Sequence, residues 1–218
     1  MIDVIGQINA VRRQVGDRAL EAGEGRTVTV SQSYPTGLAD LWDACTDADR
    51  ISRWFLPVSG ELRLGGHYQL DGNAGGTIER CNPPHSFGAT WEYDGAVSWI
   101  EVRLTAESAS LTRFELEHLL PVDAKWAEFG PGAVGIGWEL AMSGLGLHLP
   151  TGLPMDPSEA AAWMVSTEAR QFVTLSGRRW CEMQLAAGID PEAAGSMADR
   201  TIAAYTAAPD PAPDSASA

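Results

Sequence analysis

Two short segments alternate so regularly that they leave few folds open. In Ser98-Trp99-Ile100-Glu101-Val102-Arg103-Leu104, the residues Ile100, Val102 and Leu104 point one way and Glu101 and Arg103 the other. Thr112-Arg113-Phe114-Glu115-Leu116-Glu117-His118 repeats the pattern, with Phe114 and Leu116 opposite Arg113, Glu115 and Glu117. A side-chain period of two with one apolar face marks a half-buried strand. Antiparallel sheets can keep one face wet, and such a sheet needs a cover on the other. Glu61 to Leu120 reads as a meander of such strands. Gly65-Gly66, the Asp71 to Gly76 stretch, Asn82-Pro83-Pro84, Asp94-Gly95 and Glu107 to Ser110 supply its turns. Glu101 and Arg103 are placed to pair across a hairpin with Arg113 and Glu115.

The cover follows the last strand. Between Ala133 and Leu149, Val134, Trp138, Ala141, Met142, Leu145 and Leu149 recur at three- and four-residue steps, an apolar helical stripe. Gly135, Gly137, Gly144 and Gly146 interrupt it. Each interior glycine costs roughly 1 kcal/mol against alanine, so glycine there implies close backbone approach or a yielding helix. Gly130, Gly132 and Gly135 also fit G-x-G-x-x-G. No buried parallel strand precedes them, so a hinge before the helix is the better reading than a dinucleotide site.

Upstream, Ile2, Ile5, Ile8, Val11 and Val15 fall at helical spacing and predict an amphipathic helix that packs on the body or on a second subunit, as in a homodimer. Gly16 to Gly25 reads as a linker, so residues 1–25 form an N-terminal helix and linker. Arg26 to Tyr34 is the first strand, ended by Pro35. Leu38 to Ala44 and a turn capped at Asp47 read as two short helices wedged into one end of the sheet. Downstream, Asp156-Pro157-Ser158-Glu159 and Asp190-Pro191 are helix starts, and Gly188 is a stop. Residues 151–206 therefore form a helical extension packed on the main domain, residues 26–150, and 207–218 read as a disordered tail.

A net charge of -14 repels nucleic acid and anionic membranes, and the basic pairs Arg12-Arg13 and Arg178-Arg179 read as solvated helix faces. No apolar run approaches the roughly 18 residues of a spanning helix, and Met1 to Val4 does not open a signal peptide. Cys45, Cys81 and Cys181 are too sparse for a disulfide framework or zinc site, which predicts reduced thiols in a cytoplasm. Cys45 and Cys181 read as core. His67, His85, His118 and His148 lack metal-ligand spacing, and no cofactor is implied. Glu79, Glu92 and Glu139 are the carboxylates whose burial would favour an enzyme.

The order strand, two short helices, meander, long helix resembles the helix-grip fold of START-like and birch-pollen-allergen-like proteins, the SRPBCC superfamily. Its branch of activators of the heat shock protein 90 ATPase is the most similar. The resemblance rests on Tyr34-Pro35, Leu41 to Thr46, Ile51-Ser52-Arg53-Trp54-Phe55, Leu62 to Gly66, Gly76 to Glu79, Pro83-Pro84, Thr90-Trp91, Thr112 to Leu116, His118 and Gly137 to Leu140. It spans about Thr27 to Leu149. It implies an α+β chain whose curved antiparallel sheet wraps around a long C-terminal helix, with a cavity between; extra C-terminal helices depart from the pattern. The superfamily holds lipid carriers, polyketide cyclases, oxygenase domains and cochaperone-like proteins, so the fold does not fix the function.

The favoured expectation is binding of a small hydrophobic or aromatic molecule without chemistry. Trp54, Phe55, Trp91, Val102, Phe114, Leu116, Trp138 and Met142 would supply contact area and His118 a hydrogen bond. A cyclase or aromatase using His118 with a buried carboxylate, and a cochaperone-like protein with a chaperone partner, are the alternatives.

Overall fold

The computed structural model describes residues 3–20 and 23–207. Its centre is an open, curved sheet of eight antiparallel strands in the spatial order β1-β2-β8-β7-β6-β5-β4-β3. These are β1 (Arg12–Leu20), β2 (Gly23–Tyr34), β3 (Val58–Gly60), β4 (His67–Leu70), β5 (Gly75–Asn82), β6 (Ser86–Tyr93), β7 (Ala96–Ser108) and β8 (Leu111–Pro121). The helices are α1 (Val4–Ala10), α2 (Leu38–Thr46), α3 (Ala48–Trp54), α4 (Ala124–Phe129), α5 (Gly132–His148), α6 (Pro157–Met164), α7 (Thr167–Ala186) and α8 (Pro191–Thr206). The fold is α+β, with the sheet gripping α5.

The alternation that constrained the sequence sets the register. On β7, Ser98, Ile100, Val102 and Leu104 are buried; on β8, Thr112, Phe114, Leu116 and His118 are. Cross-strand partners join the two sets: Ile100 with His118, Val102 with Leu116, Leu104 with Phe114. On the wet face Arg103 pairs with Glu115 at 3.2 Å, as expected. Glu101 is taken by Arg80 and Arg103 instead of Arg113, which lies against Glu107. The register is the reason: Glu101 faces Glu117, and Arg113 faces Thr105.

Two expectations for the N-terminus are corrected. The first helix ends at Ala10, and Arg12–Leu20, within the expected helix and linker, is edge strand β1, paired with β2 from Arg12↔Ser31 to Leu20↔Gly23. Each face mixes polar and apolar residues, Val15 with Arg13 and Asp17 on one and Leu20 with Gln14 and Arg18 on the other, so the strand lacks the period-two signal that reveals half-buried strands. It gains its place through the backbone ladder that β2 offers. α1 packs on the body: Val4 and Ile8 meet Phe172 of α7. Arg13 was read as a solvated helix residue; its side chain is only 5% exposed. A third correction concerns Glu61 to Leu64, which lies outside the strands, the edge strand being Val58–Gly60.

α5 is more than a cover. It is buried on most of its circumference, including Ile136, Glu139, Met142 and Ser143, as befits a helix sandwiched between two layers. One side faces the sheet and α3; the other receives α7 and α8. Its glycines mark where neighbours come close. A Cβ at Gly135 would overlap the Trp180 indole of α7, and one at Gly144 the backbone carbonyl of Trp54 in α3. A buried ion pair locks the sandwich. Arg13 Nε and Nη2 donate to both oxygens of Glu139, which also accepts from Trp180 Nε1 at 2.8 Å. β1, α5 and α7 are thereby tied at one point.

The extension consists of α6, α7 and α8. Asp156, Ser166 and Asp190 cap their N-termini through side-chain oxygens, and Gly188 follows α7 with φ +84°. The tail expected at 207–218 lies outside the described residues apart from Ala207. No helix among the described residues is long and apolar enough to cross a membrane.

Candidate functional site

Between the sheet, α5 and the short helices α2 and α3 lies a cavity of about 430 Å³. Drug-sized ligands occupy spaces of about 300–1,000 Å³. Alternate residues of β6, β7 and β8 build the sheet wall: Phe87, Ala89 and Trp91, then Ile100 and Val102, then Phe114 and Leu116. Trp138, Ala141, Met142 and Leu145, at helical spacing on α5, form the opposite wall. Trp54 and Phe55, at the end of α3, close one side.

The aromatic residues are mutually braced. Trp54 and Phe55 stack with centroids 5.6 Å apart, Phe55 lies 6.1 Å from Trp138, and Trp138 meets Trp91 edge to face at 4.9 Å. Such arrangements are the favoured ones for ring quadrupoles. The indole N–H of Trp54 donates to the Ala44 carbonyl at 2.9 Å, which fixes its ring against α2. Trp138 Nε1 donates to His118 Nδ1 at 3.0 Å. His118 Nδ1 is therefore the acceptor, its proton sits on Nε2, and Nε2–H faces Ser98 Oγ at 2.8 Å. Burial pushes the His118 pKa down to about 3, because the imidazolium would lose its hydration.

Eight of the nine residues chosen from the sequence line the cavity: Trp54, Phe55, Trp91, Val102, Phe114, Leu116, Trp138 and Met142. His118 does not. It is 2% exposed behind Trp91 and Trp138, and both ring nitrogens have protein partners. Alternation put it on the inner face correctly, but period two cannot say which inner residue meets the void. It accepts the hydrogen bond of Trp138, whose ring does face the cavity. Of the carboxylates singled out, Glu79 and Glu92 are exposed and Glu139 is buried, on the side of α5 that faces Arg13 and Trp180. Glu139 thus lies away from the cavity lining.

Sequence reasoning missed Trp42, Arg63, Tyr68 and Cys81, all of which line the cavity. Tyr68 alternates with His67 and Gln69 on β4 and carried a usable signal. Arg63 belongs to an irregular segment and Cys81 to a strand end, where periodicity is silent. Cys45 also lines the wall, and burial raises its thiol pKa to about 12, so it is a neutral apolar contact. Among the described residues no three His, Cys, Asp or Glu side chains gather as a metal-binding group.

Residues 35–149 match the model of the family described as activator of Hsp90 ATPase homolog 1-like protein. No curated protein matches the chain. Among solved structures, the crystal structure of CalU16 from Micromonospora echinospora is 34% identical, covers 80% of this chain and 98% of its own, and superposes with a TM-score of 0.66. Its solution structure gives a TM-score of 0.68 over 81% of this chain and 96% of that one. DynU16, a protein in the dynemicin biosynthetic locus, shares the fold at 21% identity, over 59% of this chain and 48% of that one, with a TM-score of 0.53. With more than half its length matched, and with the helix-grip architecture, the chain belongs to the activator of Hsp90 ATPase homolog 1-like family.

Proposed function

We propose that the protein binds a small hydrophobic or aromatic molecule in the cavity between sheet and α5, and performs no chemistry on it. One observation carries the reading: about 430 Å³ stays unfilled beside Trp54, Trp91 and Trp138, in a chain with aromatic residues enough to close it. The lining is almost wholly apolar, so water there finds few partners and an apolar guest that displaces it is favoured. The wall suits a flat apolar body, since rings already braced against one another lose little entropy on contact.

The cyclase-like alternative needs an acid or base facing the ligand. His118 and Glu139, the groups it would have used, are turned to protein partners. The cochaperone-like alternative rests on family membership; co-purification of a chaperone on the immobilised protein is its test.

Titration with the neutral fluorophore N-phenyl-1-naphthylamine, followed by energy transfer from tryptophan, tests the proposal. Saturable one-to-one binding is expected. Ala141→Phe, which projects a ring from α5 into the space, should abolish it while leaving the circular dichroism spectrum intact. Absence of binding, or binding that Ala141→Phe leaves unchanged, would refute the cavity as the site.

A further inference from the structure

The cavity wall has a polarity. Most polar side chains along it are already engaged: Trp54 Nε1 donates to Ala44 O, Trp138 Nε1 to His118, Tyr68 Oη to Thr90 O at 2.7 Å, and Thr46 Oγ1 to Trp42 O at 2.8 Å. A ligand polar group pushed against these would be desolvated without a compensating donor. Among the described residues, the one charged residue in the lining is Arg63, in the segment between β3 and β4. Its side chain is 70% exposed, so it marks the solvent side of the cavity, next to the exposed Leu64.

Among the described residues Arg63 has one ionic partner, Glu61, two residues away at 2.6 Å, whose side chain is 62% exposed. Exposed pairs of this kind are weak, and a competing anion exchanges with them readily. Glu61 itself does not line the cavity. Arg63 is therefore held near the entrance by a partner that a ligand can replace. Its planar fork suits a carboxylate or sulfonate in a two-point contact.

We infer that the ligand is an amphiphilic anion: a flat apolar body seated between Trp54, Trp91 and Trp138, with one acidic group at the entrance beside Arg63. This rests on the proposed binding function and adds the chemical class and the orientation. The apolar end enters first, because the inner wall offers few free polar partners. The acid stays at the rim, where it keeps part of its hydration.

The test compares two probes of similar body, 8-anilinonaphthalene-1-sulfonate, which is anionic, and neutral N-phenyl-1-naphthylamine. Wild type should bind the anionic probe more tightly. Arg63→Gln should weaken the anionic probe about fivefold, the order of an exposed ion pair, and change the neutral probe less than twofold. Glu61→Gln, which frees Arg63, should strengthen the anionic probe alone. Raising salt from 0.05 M to 1 M shortens the screening length to about 3 Å and should abolish the difference between wild type and Arg63→Gln. Failure of wild type to bind either probe would sink the binding function. Binding of both, with Arg63→Gln affecting neither or both equally, would overturn the headgroup assignment and leave the cavity reading standing.

Discussion

Removing Arg13 is the sharpest test of how the molecule is held together. Its side chain is 5% exposed and that of Glu139 fully buried, with both carboxylate oxygens receiving the guanidinium. Arg13 Nη1 also donates to the carbonyls of Ile8 and Val11, where the chain turns from α1 into β1. In Arg13→Met the carboxylate would keep, among the described residues, only Trp180 Nε1 as a donor. An uncompensated buried charge costs about 3–5 kcal/mol, a large share of the roughly 5–15 kcal/mol that a domain has. With a urea slope of about 2–3 kcal/mol/M, the midpoint should fall by about 1–2 M. The double variant Arg13→Met/Glu139→Gln removes both charges and keeps an acceptor for Trp180. It should be more stable than Arg13→Met by about 1–2 kcal/mol, since the isolated charge dominates the loss. Urea titrations of wild type, both single variants and the double variant, followed by circular dichroism, give the coupling energy. A loss below about 1 kcal/mol in Arg13→Met, or a double variant no more stable than it, would refute the view that this pair locks β1, α5 and α7.

Three further outcomes are expected. His118 has a folded pKa of about 3, below the ordinary 6.5, so the unfolded chain binds the extra proton between those values; stability is full above about pH 6.5 and falls with acid, by about 2 kcal/mol at pH 5, and urea midpoints should show this part of the slope missing in His118→Gln. Gly144→Ala adds a Cβ that overlaps the Trp54 carbonyl; despite alanine's roughly 1 kcal/mol helix advantage it should lose about 1–2 kcal/mol and weaken probe binding, and a rise in melting temperature would contradict the close approach. Cys81 is exposed and lines the cavity, whereas Cys45 is buried with its thiol pKa raised to about 12; a thiol reagent at pH 8 should modify Cys81 well before Cys45, with bound probe protecting Cys81, and equal rates at both would contradict the burial of Cys45.

The chain wrote its central strands plainly. Ile100, Val102, Leu104, Phe114 and Leu116 alternate with charged residues because each strand has one dry and one wet face, and that physical asymmetry leaves a period-two trace in sequence. The stripe from Val134 to Leu149 announced α5 in the same way, and the capping residues Asp156 and Asp190 announced α6 and α8. These patterns made the central strands and α5 legible, and the helix-grip architecture and the eight cavity residues followed once the family resemblance was added to them. Strand β1 was not legible, because an edge strand that mixes polar and apolar residues on each face carries no period, and its place depends on backbone bonds with β2. The pairing of Arg13 with Glu139, 126 residues apart, could not be read either, since neither residue's local pattern contains the other. The same holds for His118, inward by alternation yet behind Trp138, and for Arg63, brought to the entrance by a segment without regular structure. Local periodicity reports which face of an element is dry. Whether that dry face meets another side chain or an open cavity depends on how far sheet and helix stand apart, a distance that many remote residues set together.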